Sequence, residues 1–212
     1  MANLLDACER NLTEVAKSLL REEGVEIDAR DETHQRSALH WACMKGNMEL
    51  AMALVNRGAD VDARDVNQCT PLHYACDKGN MELAMALVDR GADVDARSVD
   101  QCTPLHIACM KGNMEVAMAL VDRGADVNAR NWPIQMTPLD YLSMENRNRL
   151  ESMINRNVGN VMSSMIQRTQ EKDSARRISE LPEEIGRKVA SYLGGKRKTK
   201  KRKTRRRKTR KH

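Results

Sequence analysis

Asp65–Arg97 reads DVNQCTPLHYACDKGNMELAMALVDRGADVDAR, and Ser98–Arg130 reads SVDQCTPLHIACMKGNMEVAMALVDRGADVNAR. The second block follows the first directly and departs from it at six positions: 65/98, 67/100, 74/107, 77/110, 83/116 and 95/128. A near-identical block at this period marks a stacked repeat array, in which each unit buries its apolar side only against its neighbours. Each copy carries its own punctuation. Pro71 and Pro104 suit a first helical turn, where the missing N–H has no intrahelical partner. Thr70 and Thr103 stand where a side chain caps the helix start. Lys78-Gly79-Asn80 and Lys111-Gly112-Asn113 predict a turn into a second helix, and Gly91 and Gly124 predict its left-handed end. Leu72, Ala75, Leu83, Leu87, Leu105 and Leu120 are expected in the core.

Thr70–Ala75 (TPLHYA) and Thr103–Ala108 (TPLHIA) resemble the ankyrin repeat, whose hallmark is T-P-L-H-x-A on a 33-residue period. The resemblance implies an all-α ankyrin-repeat solenoid of helix–turn–helix units joined by short hairpin loops. It also implies a structural role for His40, His73 and His106, tying helix starts to loops by hydrogen bonds. Ankyrin folds bind many unrelated partners, so the fold does not name a function.

Outward from the twin copies, the pattern weakens at both ends. Residues 3–28 read as a degenerate first repeat. Leu4, Leu5, Ala7 and Cys8 form one short apolar face, and Val15, Ala16, Leu19 and Leu20 form the next. The second repeat, about Asp31 to Arg64, keeps Ala38–Ala42 but has Ser37 and no Pro. A fifth repeat from Asn131 keeps Thr137-Pro138-Leu139, with Asp140 in place of the His and no Gly in the following turn. Its second helix is expected over Arg147–Asn157. Val158, Val161, Met162, Met165 and Ile166 then form one amphipathic stripe suited to sealing the stack. The expected organisation is an array with caps over 1–166, a linker over 167–178, an amphipathic helix over 179–195 and a disordered polybasic tail over 196–212.

Charge is divided as sharply as sequence pattern. The segment 196–212 holds 13 Lys and Arg and no acid, which leaves residues 1–195 with 23 basic against 30 acidic side chains, a net −7. An acidic body with a basic arm suggests that the arm meets a polyanion. The aromatic set is two Trp and three Tyr with no Phe, so the core must rest on many small contacts. Of the six Cys, Cys43, Cys76 and Cys109 recur at repeat spacing, as do Cys69 and Cys102. Their number follows from copying, and all six read as reduced thiols of an intracellular protein. No stretch of 18 apolar residues occurs, so no membrane span is expected.

The resemblance further implies that partners meet the hairpin tips and the exposed side of each first helix. In this chain those positions are Arg64, Val66, Asn67, Cys69, Asp77 and Lys78, and one repeat later Arg97, Val99, Asp100, Cys102, Met110 and Lys111. Flanking equivalents are Arg30, Met44, Lys45 and Arg130. Stacking would set Arg30, Arg64, Arg97 and Arg130 in one ladder and Lys45, Lys78 and Lys111 in another. The face is then basic on a net-acidic body, although a copied Arg that merely covers its neighbour fits equally well. Reversing Arg97 and Lys111 to Glu is expected to weaken binding with little change in thermal stability. Met48/Met52, Met81/Met85 and Met114/Met118 form a Met ladder, read first as packing between second helices and second as an adaptable exposed strip.

No catalytic constellation is present: there is no phosphate loop, no H-E-x-x-H and no nucleophile with a base. His40, His73 and His106 each precede a Cys by three residues, but a zinc site needs four converging ligands, and here each pair lies a repeat away from the next. Neither a cofactor nor an enzyme activity is expected. Leu181, Pro182, Ile185, Val189 and Leu193 resemble the opening of an F-box, and ankyrin arrays followed by a truncated F-box resemble the ankyrin proteins of large DNA viruses. That resemblance implies recruitment of an SCF-type ubiquitin ligase, whereas the same i+4 stripe also suits a helix that simply docks. The tail comprises Lys196, Arg197, Lys198, Lys200, Lys201, Arg202, Lys203, Arg205, Arg206, Arg207, Lys208, Arg210 and Lys211. Such a segment suits nucleic acid or a nuclear import receptor. The sequence thus reads as a monomeric module that binds another protein, with a polyanion-binding arm and a nuclear or cytoplasmic location.

Overall fold

The computed structural model describes residues 3–169, with side chains described through Asn157. Among the described residues, four helix pairs and a reduced fifth unit are laid down in chain order. They are α1 (Leu4–Glu9) with α2 (Thr13–Leu19), α3 (Ala38–Lys45) with α4 (Met48–Asn56), and α5 (Pro71–Lys78) with α6 (Met81–Asp89). Next come α7 (Pro104–Lys111) with α8 (Met114–Asp122), and a 3-10 turn (Pro138–Tyr141) before α9 (Met144–Thr169). The chain divides into two units, Met1–Arg147 and Asn148–His212, and the stack and its hairpins belong to the first. Within it the first helices form one layer, α1 on α3 on α5 on α7 on the 3-10 turn, and the second helices α2, α4, α6 and α8 form the other.

The punctuation of the sequence operates as read. Gly46, Gly79 and Gly112 end the first helices in the left-handed region, at φ 67°, 70° and 73°. At Gly79 a side chain would also collide with Asn113, whose Oδ1 lies 2.8 Å from a built Cβ. The next residue starts the second helix: Asn47 and Asn80 Oδ1 accept from the backbone N–H of Leu50 and Leu83 at 2.9 and 3.0 Å. Asn113 instead reaches back to the preceding repeat, its Nδ2 donating to Cys76 O at 2.8 Å. Leu72, Leu83, Leu87, Leu105 and Leu120 are fully buried, with Ala75 beside them. All six thiols are unbridged, and five are buried. Burial pushes Cys8 and Cys109 up to about 12 and raises Cys43 and Cys76 further, so these thiols act as small apolar core groups.

Three expectations need correction. Val15 is 42% exposed rather than part of the apolar face, because α2 has a neighbouring repeat on one side only. The first helix of the fifth repeat shrinks to the 3-10 turn. The second is helical over the expected Arg147–Asn157 but starts earlier: α9 begins at Met144, with Arg147 N–H donating to Ser143 O at 2.8 Å, and runs unbroken to Thr169. The side chains of Val158, Val161, Met162, Met165 and Ile166 lie outside those described, as do residues 170–212. The remainder of the linker, the 179–195 helix and the tail therefore fall outside the described residues.

Candidate protein-binding face

Each repeat from the second to the fifth is introduced by a hairpin whose first residue closes it. Backbone N–H groups of Asp31, Asp65, Ser98 and Asn131 donate across the loop to Arg36, Cys69, Cys102 and Met136 carbonyls at 3.0–3.1 Å. Gln35, Gln68, Gln101 and Gln135 sit in the left-handed region at φ 57–58° to turn the chain. The tips are also tied to one another. Val66 N–H donates to His34 O, Val99 N–H to Asn67 O and Trp132 N–H to Asp100 O, each at 2.9 Å. Tip residues of successive repeats are thereby held in register by the backbone itself.

The histidines provide the second tie. Thr70 N–H donates to His73 Nδ1 at 3.1 Å, and His73 Nε2 lies 3.1 Å from Cys102 O in the next repeat. His40 joins Ser37 N–H to Cys69 O, and His106 joins Thr103 N–H to Met136 O, with the same geometry. An Nδ1 that accepts a backbone N–H carries no proton, so the ring is the neutral Nε2–H tautomer. Burial holds all three below the usual His range, His73 at about 4. Both ring nitrogens are thus engaged, in the structural role the resemblance implied. In the last repeat Asp140 accepts from Thr137 N–H and Oγ1–H at 2.8 Å but has no proton to pass on, and the relay ends there. Thr137 and Arg147 hold its carboxyl down at about 2. Among the described residues no group of three or more His, Cys, Asp or Glu is placed to hold a metal ion. Nor is any described helix long and apolar enough to cross a membrane.

The arginine ladder is a third tie. Arg30 Nη1 donates to Arg64 O, Arg64 Nη1 to Arg97 O at 2.9 Å and Arg97 Nη1 to Arg130 O at 3.3 Å. Arg130 Nη1 closes the series on Gln135 O at 2.8 Å. These guanidinium groups staple adjacent repeats, and Arg30, Arg97 and Arg130 are exposed as they do so. Lys45 and Lys78 are exposed at the ends of α3 and α5, whereas Lys111 pairs with Asp77 at 2.8 Å. Arg97 and Lys111 both have partners within the stack. Reversing them would also remove those contacts, so Lys45 and Lys78, which form no ion pair among the described residues, are the cleaner positions at which to test binding. Met44 is half-buried and Met110 exposed; Asn67 and Asp100 are exposed at the tips. Met52, Met85 and Met118 are half-buried between second helices, which favours packing over an exposed strip.

Two models of one family match this chain: ankyrin repeats in three copies over residues 4–98, and a further ankyrin repeat over residues 100–132. Together with the helix pairs and the histidine relay, they decide the matter. The chain belongs to the ankyrin-repeat family. No curated protein matches it closely enough to suggest a more specific relationship. The ankyrin match ends at residue 132, within the fifth hairpin, where the structure also departs from the regular unit.

Reasoning from the sequence missed Trp132 and Ile134, which are 62% and 61% exposed in that last hairpin. The signal was available. Trp132 stands one repeat beyond Val99, as Val99 stands one repeat beyond Val66, but the loss of the ankyrin pattern beyond Arg130 drew attention to the altered helix rather than to its tip.

Proposed function

We propose that this ankyrin array is a non-enzymatic module that binds another protein through its hairpins and first helices. The observation carrying the proposal is the register of that face. Backbone bonds between tips, the histidine relay and the arginine ladder each tie successive repeats, so a partner meets a pre-organised surface and ordering costs at binding are small. Arg30, Met44, Lys45, Arg64, Asn67, Asp77, Lys78, Arg97, Asp100, Met110, Lys111 and Arg130 make up the candidate surface. Affinity capture from cells with the full chain and with Lys45→Glu/Lys78→Glu tests this reading. Loss of a specific partner, with the melting temperature unchanged, supports it. A partner retained undiminished would move the binding surface elsewhere.

The tail supports a second role, because the 13 positive charges of segment 196–212 lack any apolar side chain to offset ordering. It binds nucleic acid or an import receptor and favours a nuclear location. With about six charges engaged on duplex DNA, log affinity should fall by about 5 per log of salt. A 1–195 truncation should lose that binding, and equal binding by the two chains would refute it. The Leu181–Leu193 segment supports a third role as a ubiquitin-ligase adaptor site. Deleting residues 181–193 should then remove ligase subunits from the captured material while leaving the array's partner in place.

A further inference from the structure

Among the exposed large apolar residues of the array, three share one structural position. Val66, Val99 and Trp132 occupy the same tip position in successive hairpins and are 47%, 58% and 62% exposed. Ile134 adds to the last tip, and Met110, exposed near the end of α7, stands where the twin copy has Asp77. By position after the hairpin's first residue, the row starts at Glu32 and becomes more apolar toward Trp132. Single exposed apolar residues are ordinary, but an in-register row ending on Trp is the composition of a binding hot spot.

What surrounds the row is equally specific. The Arg ladder precedes the tips in sequence, and the Lys ladder ends the first helices of the same array. Among the described residues Lys45 and Lys78 form no ion pair, whereas Lys111 is paired with Asp77. The hairpin carboxylates Asp31 and Asp65 turn inward, accepting from the backbone N–H of His34 and Arg36 and of Asn67 and Cys69. Glu32 and Asp100 remain exposed at the tips and Asp77 is paired with Lys111, so cations outnumber acids on this face; other acids lie in the loops after the second helices. There Asp28, Asp62 and Asp95 accept from the N–H of Asp60, Asp93 and Asp126 in the next repeat. Set against Glu32, Asp77 and Asp100, the four Arg and three Lys of the ladders give this face of a net-acidic body a net positive charge around the apolar row.

Resting on the protein-binding reading above, we propose that the row seats an acidic segment of another protein whose apolar side chains fall on one face about 10 Å apart. Stacked helices repeat at about 8–10 Å. A helix with apolar residues at i and i+7 advances about 10.5 Å, and a polyproline-type segment at i and i+3 advances about 9.3 Å. Trp132 is the anchor, Val99 and Val66 take the following apolar groups, and the lysines meet the flanking carboxylates.

Peptide-display selection on the full chain, repeated on full-length Trp132→Ala, tests this directly. Both proteins carry the basic tail, so peptides held by the tail alone are common to both pools. The pool specific to the unsubstituted chain should be rich in Asp and Glu, with apolar residues every third or seventh position. Its best peptide should bind at least tenfold more weakly to Trp132→Ala and to Val99→Ser. Circular dichroism and melting of both variants should match the parent, since these side chains project from the stack. An empty specific pool, a basic or wholly polar one, or unchanged affinity in Trp132→Ala overturns the proposal. So does an oligo-dT that binds with the same dependence on Trp132, which would make the row a base-stacking site. If Lys45→Glu/Lys78→Glu abolishes partner capture while Trp132→Ala does not, the protein-binding face stands and the apolar row is not its anchor.

Discussion

Tyr74 and Asp65 show how two of the six differences between the twin copies belong together. Tyr74 Oη donates to Asp65 Oδ2 at 2.6 Å, and Asp65 is buried. Arg36 lies over the Tyr74 and Trp41 rings, 5.5 and 5.2 Å from their centroids, with its Nε 3.9 Å from the same carboxylate. In the next copy the carboxylate is Ser98 and the ring is Ile107, so donor and acceptor have been exchanged as a pair. Cys102 N–H still finds Ser98 Oγ, at 3.1 Å. Tyr74→Ile alone should cost about 1–3 kcal/mol, because it leaves a buried carboxylate short of a hydrogen bond. In the Asp65→Ser background the same change should cost about 1 kcal/mol less, a coupling that urea unfolding of the four proteins measures. Additive costs would mean that the two side chains are not energetically coupled. The alignment displays the difference at 65/98 and at 74/107, but only the fold places them in contact.

At the scale of elements, helix starts, turns and core leucines were legible, because Pro, Gly, Thr and the apolar spacing act locally and recur. The histidine role followed from the resemblance, whereas its consequence for acid stability comes from geometry. Each neutral ring accepts from its own cap and donates to the next repeat, so adding a proton removes the acceptor. The folded value of His73 lies at about 4, below the ordinary 6.5. The folded state therefore binds fewer protons than the unfolded chain between these values, and stability is lost as pH falls through that window. For His73 alone the loss is roughly 3 kcal/mol. Stability measured from pH 7 to 4 should fall, and His73→Asn should flatten that dependence. An identical slope in the variant would assign the acid sensitivity to other groups. The arginine ladder was half legible: its register follows from the period, but that each guanidinium ends on a carbonyl depends on loop geometry. The last repeat was least legible, because Asp140 caps its own turn without passing a proton on, and the helix that follows obeys no repeat.

Across the whole stack, stability is a sum of neighbour interfaces. Leu87, fully buried in α6 between α4 and α8, should cost about 2–5 kcal/mol on truncation to Ala, read from the urea midpoint. A near-neutral Leu87→Ala would contradict the packing described. The same repetition that shares the core also copies the surface, and this is how three hairpin tips and two cation ladders come to share one register. Function then rests on which face a partner meets. The most direct measurement places a photo-crosslinking amino acid at Val99 on a hairpin tip, and separately at the exposed Glu82 on α6, in the full-length chain inside cells. A specific protein adduct from position 99, absent from position 82 and lost in the Lys45→Glu/Lys78→Glu background, is the predicted result. An adduct from position 82 alone would contradict the account.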